Sequence, residues 1–193
     1  SPVGALSNGL ELLADEQDPQ MRQRCFELLE QSARTSAAKL KFFRLAYGAA
    51  GGFGEQVSID EPKAVIETLA ADAKRIELNW QIVSPSVSKS AVKVMLNLAQ
   101  MGLDALVRGG TLDVGVEARD DATEVVVRAA GTKIAFDAQI GEALAGKLDP
   151  AELTGRTAPA HLLSLIAAQC GGMIQTHAES GTLLLGATLP DTM

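Results

Sequence analysis

Two periods of apolar positions divide the chain. Over residues 3–47 the period is helical. Val3, Leu6, Leu10 and Leu13 form a first series, and Phe26, Leu29, Ala33, Ser36, Leu40, Phe43 and Tyr47 a second, at alternating steps of three and four. That spacing lays one narrow seam along each of two helices. Residues 14–19 are the connection, with Asp18 suited to cap the second helix and Pro19 to its first position, where a missing N–H costs nothing. Leu12, Leu28, Phe42 and Leu45 lie beside the seam and widen the apolar set beyond what one partner helix covers. A hairpin of this kind is expected to pair with a second copy as a four-helix bundle.

After residue 60 the period switches repeatedly. Asp60 suits the cap of a helix over 61–75, with Val65, Ile66, Leu69 and Ala73 turned inward. Residues 76–83 alternate strictly and predict a half-buried strand, ended by Ser84-Pro85. A long helix over 88–107 follows, then strands over 111–118 and 123–129 joined at Asp120-Asp121, helices over 138–146 and 159–170, and a closing hairpin over 173–179 and 182–189 through Ser180-Gly181. Strand pairs mixed with helices predict an α+β protein whose C-terminal part is an α/β sandwich, one sheet covered on one face. Between the two parts, residues 48–54 hold four glycines in seven positions. No Gly-Lys-Ser/Thr follows and no strand precedes, so they read as a link rather than a phosphate loop. The expected organisation is a helical hairpin over 1–48, a glycine-rich linker over 49–60 and the sandwich over 61–190.

Charge and composition narrow the function. A net charge of −7 argues against a nucleic-acid binder, which needs a basic face. There is no run of eighteen apolar residues and no signal peptide is expected, and Cys25 and Cys170 sit singly in apolar patterns, as expected of reduced thiols in a cytoplasmic protein. His161 and His177 have no carboxylate constellation near them in sequence, and no HExxH, CxxC or Gly-x-Ser-x-Gly is present, so neither a metal site nor a serine hydrolase is suggested.

The order of the two parts resembles a sensor histidine kinase core, a dimeric helical hairpin followed by an ATP-binding sandwich. Ser1-Pro2 resembles the end of the kinase histidine box, His-Glu/Asp-x-x-Thr/Ser-Pro. Val94-Met95-Leu96-Asn97-Leu98-Ala99 resembles the start of the asparagine box, and residues 168–174 with 181–190 the last helix, double glycine and closing hairpin. The ATP-site residues depart from that pattern. Met101 stands where kinases place the magnesium-binding asparagine, four residues after Asn97, and a thioether is a poor ligand for a hard cation. Ala129 and Lys133 replace the aspartate and second glycine of the first glycine box, leaving Gly131, and only Gly155 remains of the second box.

A kinase-like fold without its ATP chemistry resembles a histidine phosphotransferase. Three strings are similar to the ChpT-type family of alphaproteobacteria: Ser1-Pro2-Val3-Gly4-Ala5, Asn8-Gly9-Leu10-Glu11-Leu12-Leu13, and Leu40-Lys41-Phe42-Phe43-Arg44-Leu45-Ala46-Tyr47-Gly48-Ala49. The resemblance implies a homodimer that relays phosphate between the receiver domain of a hybrid kinase and response regulators of the CtrA and CpdR type, with no cofactor of its own and Mg2+ supplied by the receiver. It also implies a phospho-accepting histidine four residues before Ser1, upstream of this sequence. Extending the first helix backwards brings that position near residues 36–40, so Lys39 and Lys41 are expected to favour the incoming phosphoryl group beside Ser1 and Pro2. Gly4, Asn8 and Glu11 on the first helix and Gln31, Arg34 and Thr35 on the second, off the seam at similar height, are the expected receiver contacts. Two other readings stand: a pseudo-kinase adaptor that binds receivers or a kinase without passing phosphate, and an active kinase.

Overall fold

The structure, a computed structural model, describes residues 1–48, 56–73 and 75–190. The apolar seams become helices α1 (Pro2–Asp15) and α2 (Pro19–Tyr47). The turn closes as its chemistry predicts. Asp18 accepts the Gln20 N–H at 3.0 Å, and Arg22 donates to the Glu16 carbonyl at 2.9 Å. The helices pack closely at Gly9, which is buried; a Cβ there would lie 2.9 Å from Leu29 Cδ2.

The chain continues through β1 (Gln56–Ser58), α3 (Asp60–Asp72), β2 (Ile76–Ile82), β3 (Ser86–Ser88), α4 (Lys89–Ala105), β4 (Gly110–Ala118) and β5 (Ala122–Ala130). It ends with α5 (Ala138–Leu144), a 3-10 turn (Pro150–Glu152), α6 (Ala158–Gln169), β6 (Met173–Glu179) and β7 (Thr182–Pro190). The linker expected over 49–60 needs correction at its end. Residues 49–55 lie outside the described residues, but 56–58 form β1, paired antiparallel with β3, and Ile59 is in the core at 2% exposure. Three-residue strands are too short to show an alternation. Asp60 is also not the cap of α3 but its first residue. Ser58 Oγ accepts the Asp60 N–H at 3.2 Å and donates to the Asp60 carboxylate at 3.0 Å.

The main sheet has the order β2-β4-β5-β7-β6. Every neighbouring pair is antiparallel except β2 and β4, which run parallel and are joined across the inner face by α4. One face is covered. Leu112, Val114 and Val116 on β4, Val125 and Val127 on β5, and Leu183 and Leu185 on β7 are buried at 2% exposure or less. Against them lies α4, with Val92, Met95, Leu96 and Ala99 fully buried. Gly102 lets this helix come down onto the sheet, since a Cβ there would stand 2.6 Å from Leu112 and 3.0 Å from Val127. The C-terminal half of α2 belongs to the same apolar cluster, through Phe42, Leu45 and Ala46. Burial of that stripe fixes the hairpin against α3 and α4.

Candidate functional site

The hairpin's exposed surface is the first candidate. Ser1 stands at the N-cap of α1 without a side-chain bond, Pro2 follows as the first helical residue, and Gly4 is exposed with open space above it. Asn8 and Glu11 line a shallow hollow of about 550 Å³ on α1. Gln31, Arg34 and Thr35 line a different hollow of about 330 Å³, whose second wall is α3 through Thr68, Ala71 and Asp72. The two sets are thus not brought to one hollow. Within the second set, Gln31 donates to Asp72 at 3.4 Å and Arg34 pairs with Glu30. Thr35 turns inward at 5% exposure, its hydroxyl donating to the Gln31 carbonyl at 3.0 Å. The wall supplied by α3 was not foreseen, because no periodicity links residues 31 and 72.

Lys39 and Lys41 part company. Two positions apart on a helix, they point about 200° from each other. Lys41 is exposed, whereas Lys39 lines a hollow of about 400 Å³ between α2, α3 and α4 and acts electrostatically on Asp104. Burial pushes the Asp104 carboxyl above its ordinary range, opposed by a hydrogen bond from Gln100 and the charges of Lys39 and Arg156.

The second candidate is the region of the kinase-like boxes. Asn97 is 2% exposed and fully partnered: its Nδ2 donates to the Lys93 carbonyl at 2.9 Å, and its Oδ1 accepts the Tyr47 hydroxyl at 2.7 Å. Tyr47 comes from the end of the hairpin, fifty residues earlier in the chain. Burial raises the Tyr47 pKa above its ordinary 10.0. Met101, one turn on, shares with Asn97 and Tyr47 a hollow of about 220 Å³, closed on its far side by Phe136, Ile140 and Arg156. Arg156 also pairs with Asp137 at 3.4 Å. The other box positions do not line this hollow. Ala129 is buried in the sheet at 1% exposure, opposite Leu112 and Leu183. Gly131 donates its N–H to the Gly181 carbonyl at 2.9 Å and lies so near Gly109 that a Cβ would meet its carbonyl at 2.7 Å. Lys133 and Gly155 are exposed. Tyr47, Phe136 and Arg156 were not identified from sequence, since only the folded chain brings them to α4.

Among the described residues no group of three or more His, Cys, Asp or Glu could hold a metal ion, and no helix is long and apolar enough to cross a membrane. His161 Nδ1 is buried without a partner, and His177 is exposed and lies 2.7 Å from Glu179. Both cysteines are free.

A helical hairpin leading into a mixed sheet covered on one face defines the fold of histidine kinase cores. The kinase AdeS of Acinetobacter baumannii superimposes with a TM-score of 0.52 at 12% identity, over 98% of this chain and 95% of that one. A blue-light-activated histidine kinase from Erythrobacter litoralis does so with the same score at 10% identity, over 98% and 93%. Within that fold the chain belongs to the histidine phosphotransferase C-terminal domain family, which residues 59–182 match. It is 29% identical over 187 residues to the protein phosphotransferase ChpT of Brucella abortus (strain 2308), covering 97% of this chain and 88% of that protein. A solved bacterial phosphotransferase superimposes with a TM-score of 0.82 at 27% identity, over 96% of this chain and 87% of that one.

Proposed function

We propose that this protein acts in the cytoplasm as a homodimer and relays a phosphoryl group between receiver domains, from a hybrid kinase to response regulators of the CtrA and CpdR type, without ATP chemistry of its own. The observation that carries the reading is the face of α4. Met101 presents a thioether where a kinase of this fold places an amide for magnesium, and the hairpin's own Tyr47 takes the oxygen of Asn97. The hairpin supports the dimer. Its seam is largely open in the single chain, with Val3 65%, Leu10 59%, Phe26 50% and Leu40 71% exposed. Such a stripe on a helix favours a partner helix over water.

The chemistry asks little of the hairpin. Gly9 packs against Leu29 in the antiparallel pair, so a residue four before Ser1 stands level with roughly residue 41. A histidine at that position attacks the receiver's aspartyl phosphate in line through an unprotonated ring nitrogen. The N–P bond forms as the acyl O–P bond breaks, and the aspartate leaves as a carboxylate. The reverse steps deliver the group to a second receiver. Mg2+ and a lysine come from the receiver, so this side supplies a positioned nucleophile and a docking face. Lys41, exposed on α2, favours the incoming phosphoryl group in this reading. Asn8 and Glu11 on α1, and Gln31 and Arg34 with α3 behind them, are the docking surfaces.

The test is phosphotransfer from a phosphorylated receiver domain to the protein including the residues before Ser1. An acid-labile, base-stable label on the protein is expected. No label on a protein that still binds the receiver would make it an adaptor, and nucleotide binding at micromolar affinity by calorimetry would make it a kinase.

A further inference from the structure

The uncovered face of the main sheet carries a feature that its own stability does not explain. Across the middle of that face the pairing aligns Gln175, Gly186, Val126, Gly115 and Gln81, one from each strand. Two of the five are glycines in strand interiors, where glycine weakens a strand and gives it no side chain to pack. Neither sits at a positive φ, and the register runs unbroken through both, so neither a turn nor a bulge requires them. A Cβ on Gly186 would meet nothing within 4 Å, and one on Gly115 only ordinary contacts at 3.8 Å or more. Between them Val126 is 44% exposed, with Leu184 at 39% and Met173 at 58% nearby.

The result is a hollow of about 650 Å³ over β5, β7 and β6, with Val126 and Gly186 in its floor, whose line Gly115 and Gln81 continue in register across β4 and β2 as a trench crossing the strands. Its floor is the glycine row. One rim is the row of Leu184, Arg128 and Asp113, the other the row of Thr188, Glu124 and Glu117. The rims are four residues apart along each strand, about 13–14 Å, and the floor spans five strands, about 19 Å. An α-helix is about 10–12 Å wide with its side chains, and about thirteen residues cover that length. Charge selects the occupant. Asp113 is matched by Arg128 at 3.0 Å, while Glu117 and Glu124 share the single Arg119 at 3.2 and 3.3 Å. The uncompensated carboxylate on the second rim, on a chain of net charge −7, favours a basic helix and disfavours a second copy of this chain.

We propose that this trench is a docking site for a short, basic amphipathic helix of a partner protein. The apolar face of that helix lies on Val126 and the two glycines, and its Lys or Arg flank faces Glu117 and Glu124. The site is on the opposite side of the sheet from α4 and is independent of the phosphotransfer reading.

The probe is a synthetic 14-residue Leu/Lys peptide patterned as an amphipathic helix, with the Leu/Glu peptide of the same pattern as control. Both are titrated into the full chain and followed by anisotropy and by the amide resonances of Gly115, Val126 and Gly186. Saturable binding of the Lys peptide that moves those three amides, with no binding of the Glu peptide, is expected. Gly186→Val fills the floor with a good strand former; it is expected to weaken the Lys peptide by about tenfold or more without lowering the melting temperature. Glu124→Lys is expected to weaken it through charge alone. Equal binding of both peptides, shifts confined to other surfaces, or undiminished affinity in Gly186→Val would overturn the proposal. Concentration-dependent shifts of Gly115 and Gly186 without peptide would overturn it too, since the occupant would then be a second copy. If Gly186→Val failed to fold, the amide map of the unaltered chain and Glu124→Lys would still decide the matter.

Discussion

Tyr47 concentrates the residue-scale argument. Its ring stacks on Phe43 at 5.9 Å and meets Phe42 edge-on at 6.2 Å, while its hydroxyl donates to a carbonyl oxygen that is otherwise sealed from water. The pair was invisible to any local pattern. Asn97 was legible as a box residue and Tyr47 as the end of a heptad, but nothing in either string shows that one bonds the other. Tyr47 is the chain's single tyrosine, so its ionisation can be read directly by absorbance near 295 nm. Burial disfavours the phenolate, so the folded pKa lies above 10.0 and the native state holds its proton where the unfolded chain has lost it. The sign follows: this group's contribution is fully present below pH 10 and is lost as pH rises through the folded pKa. The expected titration midpoint is above 10 in the native protein and returns to about 10 in urea. A native midpoint at or below the urea value would contradict the partly buried, hydrogen-bonded hydroxyl. Tyr47→Phe keeps the stacking and is expected to cost about 0.5–1.5 kcal/mol in urea unfolding.

At the scale of elements, the 3.5 and 2 periods located both hairpin helices and the strands of the main sheet to within a residue or two at most ends. Those segments bury one face, and a one-sided burial writes its period into the sequence. What stayed hidden has physical reasons. The parallel pairing of β2 and β4 depends on α4 crossing the sheet, which no strand pattern encodes. The β1–β3 ribbon spans three residues a side. Thr35 appeared as a surface position but faces inward, because α3 and α4 bury a second stripe of α2 beside the seam. The seam itself yields a test of the proposed bundle. Leu40 is 71% exposed in the single chain, so Leu40→Glu should change the stability of the isolated fold by no more than about 0.5 kcal/mol. In a four-helix bundle it would bury a charge and shift sedimentation from dimer to monomer. A dimer that survives Leu40→Glu and Phe26→Glu together would have to be built on another surface.

At the scale of the molecule, the glycine-rich stretch reads as a link between two parts, yet α2 and the sheet share buried side chains. Leu45 is 1% exposed and Ala46 fully buried in the cluster that α4 and the sheet complete, and Arg44 pairs with Glu61 at the start of α3. The exposed ion pair contributes little; the buried stripe decides the matter. If that contact is strong, hairpin and sheet unfold together. Two signals weight them differently. The single tryptophan, Trp80, lies on β2 and reports the sheet alone, while far-UV circular dichroism reports helix, about half of it in the hairpin and the rest in α3–α6. Coincident urea transitions by the two signals are expected. Leu45→Ala should then lower both midpoints equally, by about 2–5 kcal/mol of unfolding free energy, since the space it leaves is walled by both parts. A variant that moved the Trp80 transition while leaving about half of the helical signal, the hairpin's share, at its original midpoint would mean that the hairpin stands on its own. In that case the wall that α3 adds beside Gln31 and Arg34 could not be counted on as a fixed part of the docking face.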